Sequence, residues 1–195
     1  SVGMAAISSA TVSDATKVKF IELYQARIAY HEEKNGADPR YAYFATNFFD
    51  KLGATDEAIV YAKKSYDLSP QKQSFAYNLA ILTLKKNDIA GALVLLKKAY
   101  EDAPKNPDAF EYYIFTLFED AKINNGGSYS SVKLGGIAQI LADGYTQYNH
   151  KLMVDARLWD MFTKTGKIRE GQVLSKRLIE LVPGEKAAIQ ALVKY

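Results

Sequence analysis

The chain is 195 residues long, 48% hydrophobic and 24% charged, with a formal net charge of +3 and no cysteine. These values suit one soluble domain, or a short solenoid, with enough apolar residues to bury a core. They exclude a disulfide scaffold, a thiolate zinc site and a cysteine nucleophile, and they fall short of the basic stripe of a dedicated nucleic-acid binder.

Residues 1–13 carry neither a basic n-region nor a strong apolar run, so they read as a disordered tail and not as a signal peptide. Ser1-Val2-Gly3 ahead of Met4 has the look of a cloning remnant. Residues 14–38 follow as an N-terminal packing helix. Val18, Ile21, Tyr24 and Ile28 recur at helical spacing on one stripe, with Asp14 placed as the N-cap. The longest charge-free runs, such as QSFAYNLAILTL, reach only about a dozen residues against the roughly 20 that a spanning helix needs, so no membrane insertion is expected.

From residue 39 the chain repeats. Pro70 and Pro104 stand 34 residues apart, and each closes a similar segment: an aromatic- and Ala-rich helix, a polar break and a second helix. Gly53 and Asn87 fall at matching places in the break, where the backbone of a helix end turns left-handed and these residue types tolerate it. Ala58 and Ala92, then Ser65 and Ala99, sit at matching places on the second helices, where small residues let paired helices approach closely. The expected units are 39–72, 73–106, 107–151 and 152–185. The third carries an insertion of about eleven residues, judged from the terminal prolines against the period. Its INNGGSYSS segment reads as a loop. The displaced helix follows at VKLGGIAQILADGYTQYN, with Gly135, Gly136 and Ala138 as its close-packing face. The fourth unit has Gly166 in the break, Gly171 at the small position and Pro183 at the end, with Trp159 packed between its helices. Residues 184–195 read as a C-terminal capping helix, with Lys186, Gln190 and Lys194 on its polar side. No strand pattern is present.

The series Leu79-Ala80, Asn87-Asp88, Ala92, Leu96, Ala99 and Pro104 resembles a tetratricopeptide repeat. The resemblance covers residues 39–195. It implies an all-α fold, a right-handed α–α superhelix of about ten antiparallel helices whose first helices line a concave groove. On that frame the partner-binding residues are Arg40, Tyr43, Asn47 and Lys51 from the first unit and Tyr77, Asn78, Ile81 and Lys85 from the second. The third contributes Glu111, Tyr112, Phe115 and Glu119, and the fourth Arg157 and Asp160. Phe44, Asp50, Ser74, Leu84, Phe118 and Lys164 fall on the same stripes. Tyrosines suit such a groove because each buries a large rigid area and keeps a hydroxyl for a hydrogen bond. Asn47 and Asn78 match the asparagines of the carboxylate clamp in co-chaperone repeat domains. Tyr43, Asp108 and Tyr112 stand where its basic residues belong, so acidic chaperone tails are not the expected ligand.

The expected function is therefore a protein-interaction scaffold that binds a peptide or partner segment in its groove. A second resemblance, carried by LSPQKQ, APKNPDA and RLIELVP, is to repeat tails of O-antigen ligase/polymerase-like bacterial membrane proteins. It implies instead a soluble accessory domain of cell-surface glycan assembly, tethered to a membrane protein. The compartment stays open between these readings, as does a homodimer through the C-terminal helix. No enzyme is expected: His31 and His150 lie in different helices, and no HExxH, GxSxG or Walker loop occurs. No metal, cofactor or nucleic-acid partner is expected either. The recurring pairs Lys63-Lys64 and Lys97-Lys98 read as a solvated outer face, given the Asp and Glu interspersed among them.

Overall fold

The computed structural model describes residues 12–123, 128–148, 159–160, 162–164 and 166–192. It divides into two compact units, Ser1–Asp88 and Ile89–Tyr195. The division falls between the two helices of the second expected repeat.

The first unit holds four helices: α1 (Asp14–Asn35), α2 (Pro39–Lys51), α3 (Thr55–Leu68) and α4 (Gln73–Lys85). Local signals set their ends. Asp38 caps α2 by accepting from the Arg40 N–H at 2.8 Å, and Pro39 occupies the first turn, where a missing N–H costs nothing. Gly53 and Asn87, at φ +75° and +61°, take the left-handed conformation expected in the two breaks. The cap of α1 is Ser13, which accepts from the Thr16 N–H at 3.3 Å; Asp14 is the first helical residue. A serine hydroxyl one residue earlier reaches back to the amide, so the assignment of the cap to Asp14 is corrected by one position. Val18 is exposed; Phe20, Ile21, Tyr24 and Ile28 form the inward stripe.

The core of this unit is built from small residues at the closest approach and aromatics around it. Ala42 and Ala45 of α2, with Ala58, Ala62 and Ser65 of α3, are fully buried. Two helices meet there with almost nothing but backbone and Cβ between them. The buried hydroxyls bond within their own helices: Thr46 donates to the Ala42 carbonyl at 2.9 Å and Ser65 to the Ala62 carbonyl at 2.8 Å. Beside this seam runs an aromatic series. Tyr24 stacks on Phe48 at 3.9 Å, Phe48 meets Phe49 edge-on at 5.3 Å, and Phe49 stacks on Tyr61 at 5.3 Å. Each such pair adds about 0.5–1.5 kcal/mol beyond its area burial.

The second unit holds α5 (Ile89–Asp102), α6 (Pro107–Ala121), β1 (Lys122–Ile123), β2 (Ser128–Tyr129), α7 (Ser131–Tyr148), α8 (Ile168–Leu181), a 3-10 turn at Pro183–Glu185 and α9 (Lys186–Leu192), with residues 159–160 and 162–164 also helical. Asn106-Pro107 opens α6 as Asp38-Pro39 opens α2: Asn106 accepts from the Asp108 N–H at 3.0 Å. The N-cap positions 38, 72 and 106 are spaced by the 34-residue period. Gly166, at φ +69°, lies 79 residues after Asn87, which is two periods with eleven residues to spare.

Those extra residues are not only a loop. Lys122 and Ile123 pair antiparallel with Tyr129 and Ser128, a ladder too short for strand alternation to register in the sequence. Its base is fastened to the core. The Ser130 N–H donates to the Ala121 carbonyl at 2.8 Å, and Tyr129 packs edge-on against Phe118 and Phe162.

The close contact on α7 also differs from expectation. A Cβ on Gly135 or Gly136 would meet nothing within 4 Å, whereas one on Gly144 would lie 2.5 Å from the Phe110 ring. The close-packing positions are Ala138 and Gly144, with Gly135 and Gly136 corrected to open ones. Three glycines on one helix satisfy the composition of such a face, and only the register against α6 decides among them. Gly171 holds the small position on α8, its Cβ direction blocked by the Trp159 ring. Around these contacts Phe110, Ile114, Phe118, Leu134, Ile137, Leu141, Phe162, Leu174, Leu178 and Ile189 form the core. Ile189 is buried, while Lys186, Ala187, Ala188 and Gln190 are exposed; Lys194 lies outside the described residues.

Candidate functional site

The expected groove residues fall in both units. In the first unit, α2 and α4 supply eight of them, and their neighbours differ. Arg40 turns back on the N-cap carboxylate, its Nη2 2.7 Å from Asp38 Oδ2. That pairing holds the Asp38 carboxyl below the usual aspartate range, through the Arg40 side chain first and its backbone N–H second. Lys85 is bound to Asp50 at 2.5 Å. Tyr43 is half-buried, 5.2 Å from the Phe75 ring, and so fills space between first helices. Tyr77 bonds Gln73 through its hydroxyl at 2.9 Å. Asn47 is half-buried and donates to the Tyr43 carbonyl at 2.9 Å; Asn78 is half-buried as well. Lys51 is exposed. Ile81 and Phe44 project outward, 38% and 62% exposed.

In the second unit, Tyr112 is exposed and Glu111 half-exposed on α6. Phe115 packs against the core, and Phe118 is wholly inside it. Phe118 is therefore a structural residue: the face of α6 that receives Phe162 and Tyr129 lies one side round from the exposed stripe. Glu119 and Asp160 are paired with Lys122 and Lys164. Arg157 lies outside the described residues.

A concavity of the first unit lies beside the expected groove. A cleft of about 560 Å³ opens between α1 and α2, within the size range of ligand pockets. Phe20, Tyr24 and Ile28 line it from α1, and Tyr41, Phe44 and Phe48 from α2. Asn47 and Lys51, both expected in the groove, reach this cleft; Arg27 and His31 join them from α1. Helix α1 is held to its neighbours by side chains. His31 stacks on Tyr41 at 3.5 Å, Tyr24 on Phe48, and Glu32 binds Lys64 of α3 at 2.5 Å. Burial, and then the neighbouring Tyr61 hydroxyl, raise Tyr24 above the ordinary tyrosine value, so it stays protonated near neutrality.

The residues from α1 escaped the sequence reading because that helix was assigned to packing alone. The signal was present: Phe20, Tyr24, Ile28 and His31 recur at i, i+4, i+8 and i+11. Chemically the site offers apolar contact, hydrogen bonding and positive charge. Among the described residues, no group of three or more His, Cys, Asp or Glu could hold a metal ion, and no helix is long and apolar enough to cross a membrane.

No protein-family model and no curated protein matches the chain. Solved structures do. MamA RS-1, as the ArsTM double mutant, aligns at 15% identity and a TM-score of 0.52, over 89% of this chain and 87% of its own. TTC0263, a thermophilic TPR protein of Thermus thermophilus, aligns at 14% and 0.50, over 91% and 92%. YrrB, described as a TPR protein with an unusual peptide-binding site, aligns at 14% and 0.52, over 91% and 87%. The fold is all-α and of the tetratricopeptide-repeat class, as the 34-residue spacing of caps and breaks requires. Nothing in these likenesses supports the resemblance to O-antigen ligase/polymerase-like tails.

Proposed function

We propose that the chain is a protein-interaction scaffold that binds a peptide or partner segment on the first-helix face of its N-terminal unit. One observation carries the reading: the exposed apolar Phe44 of this face opens directly onto the apolar cleft beside Asn47 and Lys51. A large ring left in water next to a concave apolar wall is the arrangement of a docking site. Ile81 on α4 is a second exposed apolar residue of the same unit. The peptide-binding site ascribed to YrrB, a protein of the same fold class, supports the reading.

The test pairs two double variants as baits for partner capture. Phe44→Ser with Ile81→Ser removes apolar surface from the first helices. Val60→Ser with Val94→Ser removes it from second helices, where these valines are 64% and 72% exposed. All four side chains are exposed, so both baits should keep the wild-type circular-dichroism spectrum and melting curve. The first pair should lose the partner and the second should keep it. The opposite pattern would move the binding surface to the second helices.

A further inference from the structure

The cleft between α1 and α2 has an unbalanced charge. None of its lining residues is acidic, while Arg27 and Lys51 both reach it. The carboxylates nearby are engaged elsewhere in the unit: Glu32 with Lys64, Asp38 with Arg40, and Asp50 with Lys85. Among the described residues neither Arg27 nor Lys51 forms an ion pair; the Arg27 guanidinium rests 5.6 Å over the Tyr30 ring. Folding has thus paired these three acids and left two cations beside an apolar opening. A site with this pattern lacks a counter-charge and a hydrophobic anchor, and the ligand that fits supplies both.

We infer that the cleft takes a short peptide segment of a partner protein in which a large apolar side chain stands next to a carboxylate. The apolar side chain enters between Phe20, Tyr24 and Ile28 of α1 and Phe44 and Phe48 of α2. The carboxylate meets Arg27 and Lys51 at the rim, and the Asn47 amide stands beside it. The inference rests on the scaffold reading above and adds the chemistry of the partner. Rim charges act mainly on association rate and specificity, so binding should weaken steeply with salt.

The test is selection of a random twelve-residue phage-displayed peptide library on the full chain, followed by affinities of the enriched synthetic peptides for three variants. Arg27→Glu with Lys51→Glu reverses the rim. Phe44→Ser opens the wall at an exposed position, so loss of folding does not confuse the result. Val60→Ser alters an exposed apolar residue of α3 that does not line the cleft. The expected outcome is enrichment of Phe, Trp, Leu or Ile adjacent to Asp or Glu. Affinity should fall at least roughly tenfold with the reversed rim and again with Phe44→Ser, while Val60→Ser changes it little. Peptides without an acidic residue, or bound equally well by the reversed rim, would overturn the inference while leaving the scaffold reading in place. Enrichment of no peptide at all would overturn both. Three other occupants give their own signs, each of which also overturns it. A second copy would appear as a dimer in sedimentation that the reversed rim dissociates. The chain's own residues 1–11 would appear as peptide affinity gained on their removal. A small amphiphile would appear as dodecanoate binding with the same charge dependence and no acidic peptide enriched.

Discussion

At the residue scale, the breaks and the small contacts carry most of the information, and they were not equally legible. A break needs a positive φ, which restricts the position to Gly or Asn, so Gly53, Asn87 and Gly166 could be placed from the sequence. A close helix contact needs only a small residue on the right side. Helix α7 offers Gly135, Gly136 and Gly144, and its composition does not say which one faces Phe110. The three glycines should accordingly respond in opposite ways to alanine. Gly135→Ala and Gly136→Ala meet open space in a helix interior and should each stabilise by roughly 0.5–1 kcal/mol. Gly144→Ala drives a methyl into the Phe110 ring and should lose about 1–3 kcal/mol to overpacking, outweighing the same propensity gain. Urea unfolding of the three variants checks this, and a stabilised Gly144→Ala would show that the Phe110 ring gives way.

At the element scale, the period is written into the helix ends as firmly as into the helices. Positions 38, 72 and 106 are equivalent, yet only Asp38 and Asn106 make a side-chain cap; Lys72 at the middle position makes none. Asn106→Ala should therefore cost about 1 kcal/mol, within a range of 0.5–2, read as a lowered urea midpoint with an unchanged slope. Asp38 adds a pH dependence. Its folded-state pKa is lowered by Arg40, so the unfolded chain binds the proton more readily. The stability it contributes is present above the ordinary aspartate pKa and is lost as pH falls through the lowered folded value. Asp38→Asn keeps a capping side chain and removes the titration. It should flatten the acid limb of the stability profile below about pH 4, and an acid limb identical to wild type would show that Asp38 does not contribute. The insertion was legible in position and length because the period fixes both. Its anchoring was not: Tyr129 reads as one of fourteen tyrosines until it is seen against Phe118 and Phe162.

At the scale of the whole molecule, the repeat set the fold class, because the helix starts at 38, 72 and 106 and the breaks at Gly53 and Asn87 recur at 34 residues. The site was only partly legible. Stripe arithmetic on α2 found Phe44, Asn47 and Lys51, all of which reach the cleft. It also gathered Phe118, which belongs to the core, and Lys85, Glu119 and Asp160, which are held in ion pairs. Angular position on a helix says which residues share a face; it does not say which of them a neighbouring helix then covers. The second helices α3 and α5 illustrate the point. Val60 and Val94 are one period apart and exposed, while the lysines beside them, Lys63, Lys97 and Lys98, are paired with Asp67, Glu101 and Asp102 one turn away. Ion pairs of this kind keep an outer face solvated and contribute little to stability.

The most direct measurement of the central claim is site-specific photo-crosslinking in cells, with a benzophenone amino acid placed singly at positions 44, 81, 60 and 94. A scaffold that binds its partner on the first-helix face and cleft of the N-terminal unit should give a discrete crosslinked product from position 44, a product with the same partner or none from position 81, and none from positions 60 and 94. A product from 60 or 94 with nothing at 44 would contradict the account and place the working surface on the second helices.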